Sequence, residues 1–116
     1  QNIFDKTGGL HAAALFDDSG NLKVIREDVG RHNAVDKVVG WALMQNLIPL
    51  KGWSLTISGR GGFEIVQKSV AAGLSAMISV SAPTSLAVET AREFNLTLLG
   101  FARDGKATIY SPDPGN

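Results

Sequence analysis

Three short segments concentrate residues able to hold an anion. The first is Ser58-Gly59-Arg60-Gly61-Gly62. Its glycines permit close backbone approach to a ligand, and the Arg60 guanidinium offers a planar fork matched to phosphate or carboxylate. It lacks the Lys-Ser/Thr ending of a Walker loop and the spacing of a dinucleotide fingerprint. A tight turn carrying an exposed Arg is the plain alternative. The second, Gly30-Arg31-His32-Asn33, adds a guanidinium and an imidazole. His32 could equally bond backbone carbonyls while Asn33 caps a helix. The third, Ser81-Ala82-Pro83-Thr84-Ser85, offers hydroxyls, which a rigid capping turn would also use. His11 sits at the start of an apolar strand, where a satisfied core histidine is the common case. Two His and no Cys are too few strong ligands for structural zinc, so no metal site is expected. Ser58, Ser81 and Ser85 lack a Gly-x-Ser-x-Gly setting, and no catalytic residue is assigned.

Composition narrows the ligand. The 116 residues carry 11 Lys+Arg against 11 Asp+Glu, a formal net charge of zero. A generic nucleic-acid or membrane-surface binder would show a basic excess. Any polyanion must therefore be held by a few placed residues, and neither nucleic acid nor membrane is an expected partner. With no cysteine, the chain has neither a disulfide framework nor a thiol nucleophile. No apolar run approaches the roughly 20 residues of a membrane helix, so a soluble intracellular domain is expected.

The elements that position these segments follow from pattern. His11–Phe16 and Leu22–Arg26 read as strands joined by the turn cluster Asp17-Asp18-Ser19-Gly20-Asn21. Trp53–Ser58, Ala76–Ser81, Leu96–Phe101 and Ala107–Tyr110 are further strands, the last two flanking the turn Arg103-Asp104-Gly105. Three helices lie between. The first is expected to bury Ala34, Val35, Val38, Val39, Ala42 and Leu43, with Asn33 as N-cap and Asp36 in its first turn. The second buries Ile65, Val66, Val70 and Ala71 and stops at Gly73. The third starts at a Ser85 cap, buries Leu86, Ala87, Ala91 and Phe94, and exits at Asn95. Residues 1–7 read as the end of a helix stopped at Gly8 and Gly9, and Ser111–Asn116 as a frayed tail. The order β-β-α-β-α-β-α-β-β predicts one domain over 1–116: an α/β fold with a mixed sheet in a three-layer α/β/α sandwich. Each anion-receptive segment then lies between a strand's carboxyl end and a helix's amino end, where open α/β sheets bind ligands.

Together the motifs resemble a known family. Thr7-Gly8-Gly9-Leu10-His11-Ala12-Ala13-Ala14-Leu15, the block Glu27–Lys37, Ser58-Gly59-Arg60, Ser81–Ala87 and Gly100-Phe101-Ala102-Arg103 occur in this order. They are similar to the C-terminal domain of the FdhD family, formate dehydrogenase accessory sulfurtransferases, and the likeness runs from Thr7 to Tyr110. The resemblance implies a cytidine-deaminase-like fold and a cytoplasmic, commonly dimeric protein. It implies receipt of sulfur from a cysteine desulfurase as a persulfide. The sulfur then passes to a molybdenum or tungsten bis(molybdopterin guanine dinucleotide) cofactor destined for formate dehydrogenase. Guanosine diphosphate would be a natural stand-in ligand. The family's Cys-x-x-Cys loop lies just upstream of its Thr-Gly-Gly block, and this chain has no cysteine. The expectation is therefore a piece of a longer polypeptide that keeps the cofactor platform and cannot itself carry sulfur. The implied cofactor-binding set is Gly30, Arg31, His32, Asn33, Ser58, Gly59, Arg60, Gly61, Ser81, Thr84 and Ser85. The segment near the C-terminus adds Phe101, Ala102, Arg103, Asp104, Gly105 and Lys106.

Two other readings compete. A zinc-dependent nucleobase deaminase needs His-x-Glu and Pro-Cys-x-x-Cys at two helix starts. Here His32-Asn33-Ala34 and Pro83-Thr84-Ser85 stand at comparable places without the Glu or the thiolates. A non-catalytic module that docks a nucleotide is the other.

Overall fold

The computed structural model describes residues 3–5 and 7–112. One six-stranded sheet runs in the order β2-β1-β3-β4-β5-β6. The strands are β1 (His11–Phe16), β2 (Leu22–Asp28), β3 (Ser54–Ile57), β4 (Ala76–Ser79), β5 (Thr97–Arg103) and β6 (Lys106–Ser111). The helices are α1 (Arg31–Met44), α2 (Phe63–Ala71) and α3 (Ser85–Glu93). β1 is antiparallel to both β2 and β3, while β3, β4 and β5 are parallel and β6 is antiparallel to β5. The sheet is therefore mixed, as expected.

The winding decides where the helices go. From β2 to β3, to β4, to β5, each crossover steps the same way across the sheet. Right-handed crossovers that never reverse direction must all lie on one face. One core indeed joins Val35 and Val38 of α1, Ile65 and Val66 of α2 and Ala87 and Ala91 of α3 to Leu15, Leu55, Met77 and Leu98 of the sheet. The opposite face holds a small separate cluster: Phe4, Ala12 and Ala14, with Phe16, Ile25 and Val80 against it. The α/β class stands, but the expected third layer is not made by helices among the described residues. On that face they contribute only the turn carrying Phe4. Those first residues form turns at Ile3–Asp5 and Gly8–Gly9 rather than a helix end.

Local chemistry explains the connections. In the β1–β2 loop, Asp17 Oδ1 accepts from the N–H groups of Ser19 and Asn21, and these bonds lower its pKa. The β5–β6 turn puts Asp104 at φ 54° and Gly105 at φ 74°, the two left-handed positions of a type I′ hairpin, for which Asp-Gly is well suited. Gly73 and Asn95 end their helices as expected, both at positive φ.

Several helix details differ. α1 starts three residues early, with Gly30 as N-cap, so Asn33 lies inside the first turn and Asp36 beyond it. Asp36 instead pairs with Lys68 of α2 at 2.7 Å. Leu43, Leu86 and Phe94 are exposed, as is Ala71. Each lies at a helix end, where the stripe has already turned away from the sheet. Ser69 takes the buried place given to Ala71, its hydroxyl donating to the Ile65 carbonyl at 2.9 Å. Thr84, not Ser85, caps α3, its Oγ1 accepting from Ala87 N at 3.2 Å. The expected tail starts too early, since Ser111 is a buried member of β6 opposite Leu98. Residues 113–116 of that tail lie outside the described residues. No helix among the described residues is long and apolar enough to cross a membrane.

Candidate functional site

Because β2, β3, β4 and β5 run the same way, their carboxyl ends share one edge of the sheet. The amino ends of β1 and β6 come to that edge as well. The loops that follow the strands meet there. Ser58 Oγ accepts from Ala12 N at 2.8 Å. Ser79 Oγ donates to the Gly59 carbonyl at 2.7 Å and accepts from Ser81 N at 3.1 Å. Thr84 N donates to the Gly61 carbonyl at 3.0 Å, and Phe101 N to the Ser81 carbonyl at 3.3 Å. Side chains would be crowded here. A Cβ on Gly59 would stand 3.2 Å from His11 Nδ1 and 3.7 Å from Arg31 Cβ. One on Gly61 would meet Met77 Cε at 3.1 Å and Pro83 Cβ at 3.5 Å, and one on Gly100 would meet Pro83 Cδ at 2.8 Å. His11, the Arg31 turn, the Gly59–Gly62 loop, Pro83 and Gly100 thus form a continuous rim.

The helix starts on this rim are not equivalent. α1 and α2 begin at Gly30 and Gly62, neither of which lends a side-chain hydrogen bond. Their first-turn N–H groups are the kind that favour an anion. α3 is closed by Thr84. Carboxylates already stand beside both open starts. Asp28 accepts from Gly30 N at 3.0 Å and from Asn33 Nδ2 at 3.3 Å, and pairs with Lys37 Nζ at 3.0 Å. The Gly30 N–H, then the Lys37 and Asn33 donors, hold its pKa down at about 2. Glu64, in the first turn of α2, lies 3.6 Å from His32 Nε2 and bridges the two helix starts. The cationic supply is Arg31 and Arg60, both exposed and neither in an ion pair among the described residues.

A second location takes the rest of the expected residues. Ala102, Arg103, Asp104, Gly105 and Lys106 form one wall of a cleft of about 700 Å³. Its other lining is Ile3, Phe4, Phe16, Thr56, Val80 and Ala107. The cleft lies on the sheet face without helices. Phe101 leads into it at φ 55°, at an irregularity in the β5–β6 register between Gly100 and Arg103. The expected residues therefore split between the rim and the hairpin wall. Ser58 and Thr84 spend their oxygens on backbone N–H groups, leaving less for a ligand than their position suggests. Asp28, Glu64 and the apolar floor of Phe4, Phe16 and Val80 were not singled out as site residues. Phe16 ends the Ala12-Ala14-Phe16 alternation, which could have marked that floor; Phe4 has no comparable local signal. Among the described residues, no three of His, Asp and Glu come together in a set able to hold a metal ion.

A small mixed-sheet domain with its anion-receptive loops on one rim is the class that the fold and site define. Comparison with known proteins is more specific. The FdhD/NarQ family model matches residues 1–114, and the chain belongs to that family. It is 56% identical over 111 residues to the "Sulfur carrier protein FdhD" of Mycolicibacterium paratuberculosis, covering 96% of this chain and 41% of that protein. The protein of the same description from the archaeon Picrophilus torridus is 52% identical over 111 residues, 96% of this chain and 42% of its own length. A crystal structure of a Desulfotalea psychrophila chain, assigned as a formate dehydrogenase accessory protein, superposes with a TM-score of 0.83 at 30% identity. That match covers 97% of this chain and 48% of the other. The chain thus spans about two fifths of the length of the curated relatives it matches.

Proposed function

We propose that these residues are the docking platform of a sulfur carrier that serves formate dehydrogenase. The cargo would be a molybdenum or tungsten bis(molybdopterin guanine dinucleotide), with sulfur supplied by a cysteine desulfurase, in a cytoplasmic homodimer. One observation carries the reading: the loops of Arg31 and Arg60, neither in an ion pair among the described residues, meet on a single rim, beside two helix starts without side-chain caps. That donor set suits phosphates, since guanidinium forks bind them bidentately and helix N-termini add partial positive charge. Arg103 and Lys106 on the cleft wall extend the same chemistry to a second part of a long ligand. Since the 116 residues contain no cysteine, the sulfur-carrying thiol would lie elsewhere in a longer polypeptide.

Calorimetric titration with guanosine diphosphate tests the platform. Charge-assisted hydrogen bonds are worth about 1.5–3 kcal/mol, so Arg60→Ala and Arg103→Ala are each expected to weaken binding roughly 10- to 100-fold. Variants that bind as tightly as the parent overturn the assignment. A second reading, a nucleotide-docking module with no part in sulfur chemistry, is favoured by the lack of a thiol. Sulfur transfer by a full-length relative, abolished when its residue matching Arg60 is changed, separates the two.

A further inference from the structure

An electroneutral chain that is to hold an anion must keep its own carboxylates from neutralising its guanidiniums. Asp28 and Glu64 stand beside Arg31 and Arg60, yet neither pairs with an arginine. Asp28 is taken up by Gly30 N at 3.0 Å, Asn33 Nδ2 at 3.3 Å and Lys37 Nζ at 3.0 Å. Glu64 Oε1 faces His32 Nε2 at 3.6 Å, an ion pair whenever the imidazole carries a proton. The guanidiniums are the obvious rivals for that carboxylate. Arg31 is the chain neighbour of His32, and Arg60 lies four residues before Glu64. Gly59 brings the two arginine loops together, since a Cβ there would stand 3.7 Å from Arg31 Cβ.

A second pair fixes the direction of Glu64. One turn further along both helices, Asp36 meets Lys68 at 2.7 Å. His32 and Asp36 are spaced i, i+4 on α1, as are Glu64 and Lys68 on α2, so each couple shares one helix face. The signs run cation then anion on α1 and anion then cation on α2, so pairing straight across satisfies both rungs at once. Lys37 is already engaged by Asp28 and the Glu27 carbonyl, and His11 is in no ion pair among the described residues. Exposed pairs of this kind add little stability. What the His32–Glu64 pair decides is where a negative charge is held.

We infer that His32 is a positioning residue: it holds Glu64 away from Arg31 and Arg60 and so keeps both guanidiniums available to an anion. His32 then acts through Glu64 instead of touching the ligand. The effect on the arginines stands on the pairing pattern alone. Its consequence for affinity rests on the anion-binding reading of the rim.

Two measurements on this chain test it, both at about pH 6, below the ordinary histidine pKa of about 6.5. The first needs no ligand: the side-chain Nε–H resonances of Arg31 and Arg60 in NMR spectra. In His32→Ala at least one should shift as Glu64 swings onto it, and in His32→Ala/Glu64→Gln it should return to the parental position. The second is calorimetric titration with inorganic pyrophosphate. His32→Ala should weaken binding about 10-fold, as for the loss of one charge-assisted contact. Adding Glu64→Gln should restore it, and Glu64→Gln alone should bind at least as tightly as the parent. Should His32→Ala unfold, His32→Gln, closer in size, carries the same comparison. Arginine resonances that stay put in the single variant overturn the inference. So does a binding loss that Glu64→Gln fails to rescue, which would make His32 a direct contact or a purely structural residue. A parent that shows the arginine shifts but binds no pyrophosphate would overturn the reading of the rim and leave the pairing role intact.

Discussion

The two faces of the sheet share one backbone and differ in nearly everything else. On the helical side, the paired row Val24, Leu15, Leu55, Met77, Leu98 and Ser111 is buried throughout, none exceeding 5% exposure. One register step away, the paired row Ile25, Ala14, Thr56, Ile78, Leu99 and Ile109 is half-open. The side chains are of similar type, so composition does not explain the contrast. Direction of winding does: three crossovers that never turn back put α1, α2 and α3 on one side.

The contrast can be broken most sharply at neighbouring residues. Leu98→Ala removes a fully buried side chain beneath the helices and should cost about 3–4 kcal/mol by denaturant unfolding. Leu99→Ala, on the open face, should cost about 1 kcal/mol in this chain. Similar losses would mean that both faces are equally packed. A smaller effect comes from loosening the cover instead of the floor. Thr84→Ala removes the cap of α3 and should cost about 1 kcal/mol, read as a lower denaturation midpoint. The smallest effect depends on pH. Asp28 is held at about 2 from an ordinary 3.8, so its contribution at the start of α1 is complete above about pH 4. It is lost as pH falls towards 2. Asp28→Asn should therefore melt lower than the parent at pH 5, with the gap closing near pH 2; a constant gap would show that charge is not what Asp28 contributes.

Much of this was legible from local chemistry. The Asp17–Asn21 and Asp104-Gly105 turns announced their hairpins because those residues suit the required backbone angles. The rim was legible because helices alternating with strands force parallel crossovers, which bring carboxyl ends to one edge. Strand order was not legible, since no local pattern encodes which strand neighbours which; for that reason the sequence did not reveal that α1, α2 and α3 share one face of the sheet. The ends of the apolar stripes, at Leu43, Leu86 and Phe94, were misplaced because a stripe's period says nothing about where the sheet beneath it stops. The cleft was hidden because its floor combines Phe4, Phe16 and Val80, which come together only after the sheet has formed.

The antiparallel insertion of β1 between β2 and β3 has a consequence of its own. It brings the amino end of that strand, His11, to the edge where every other neighbour except β6 finishes. Polypeptide entering through Thr7–Leu10 is thereby leashed beside Gly59 and Arg31.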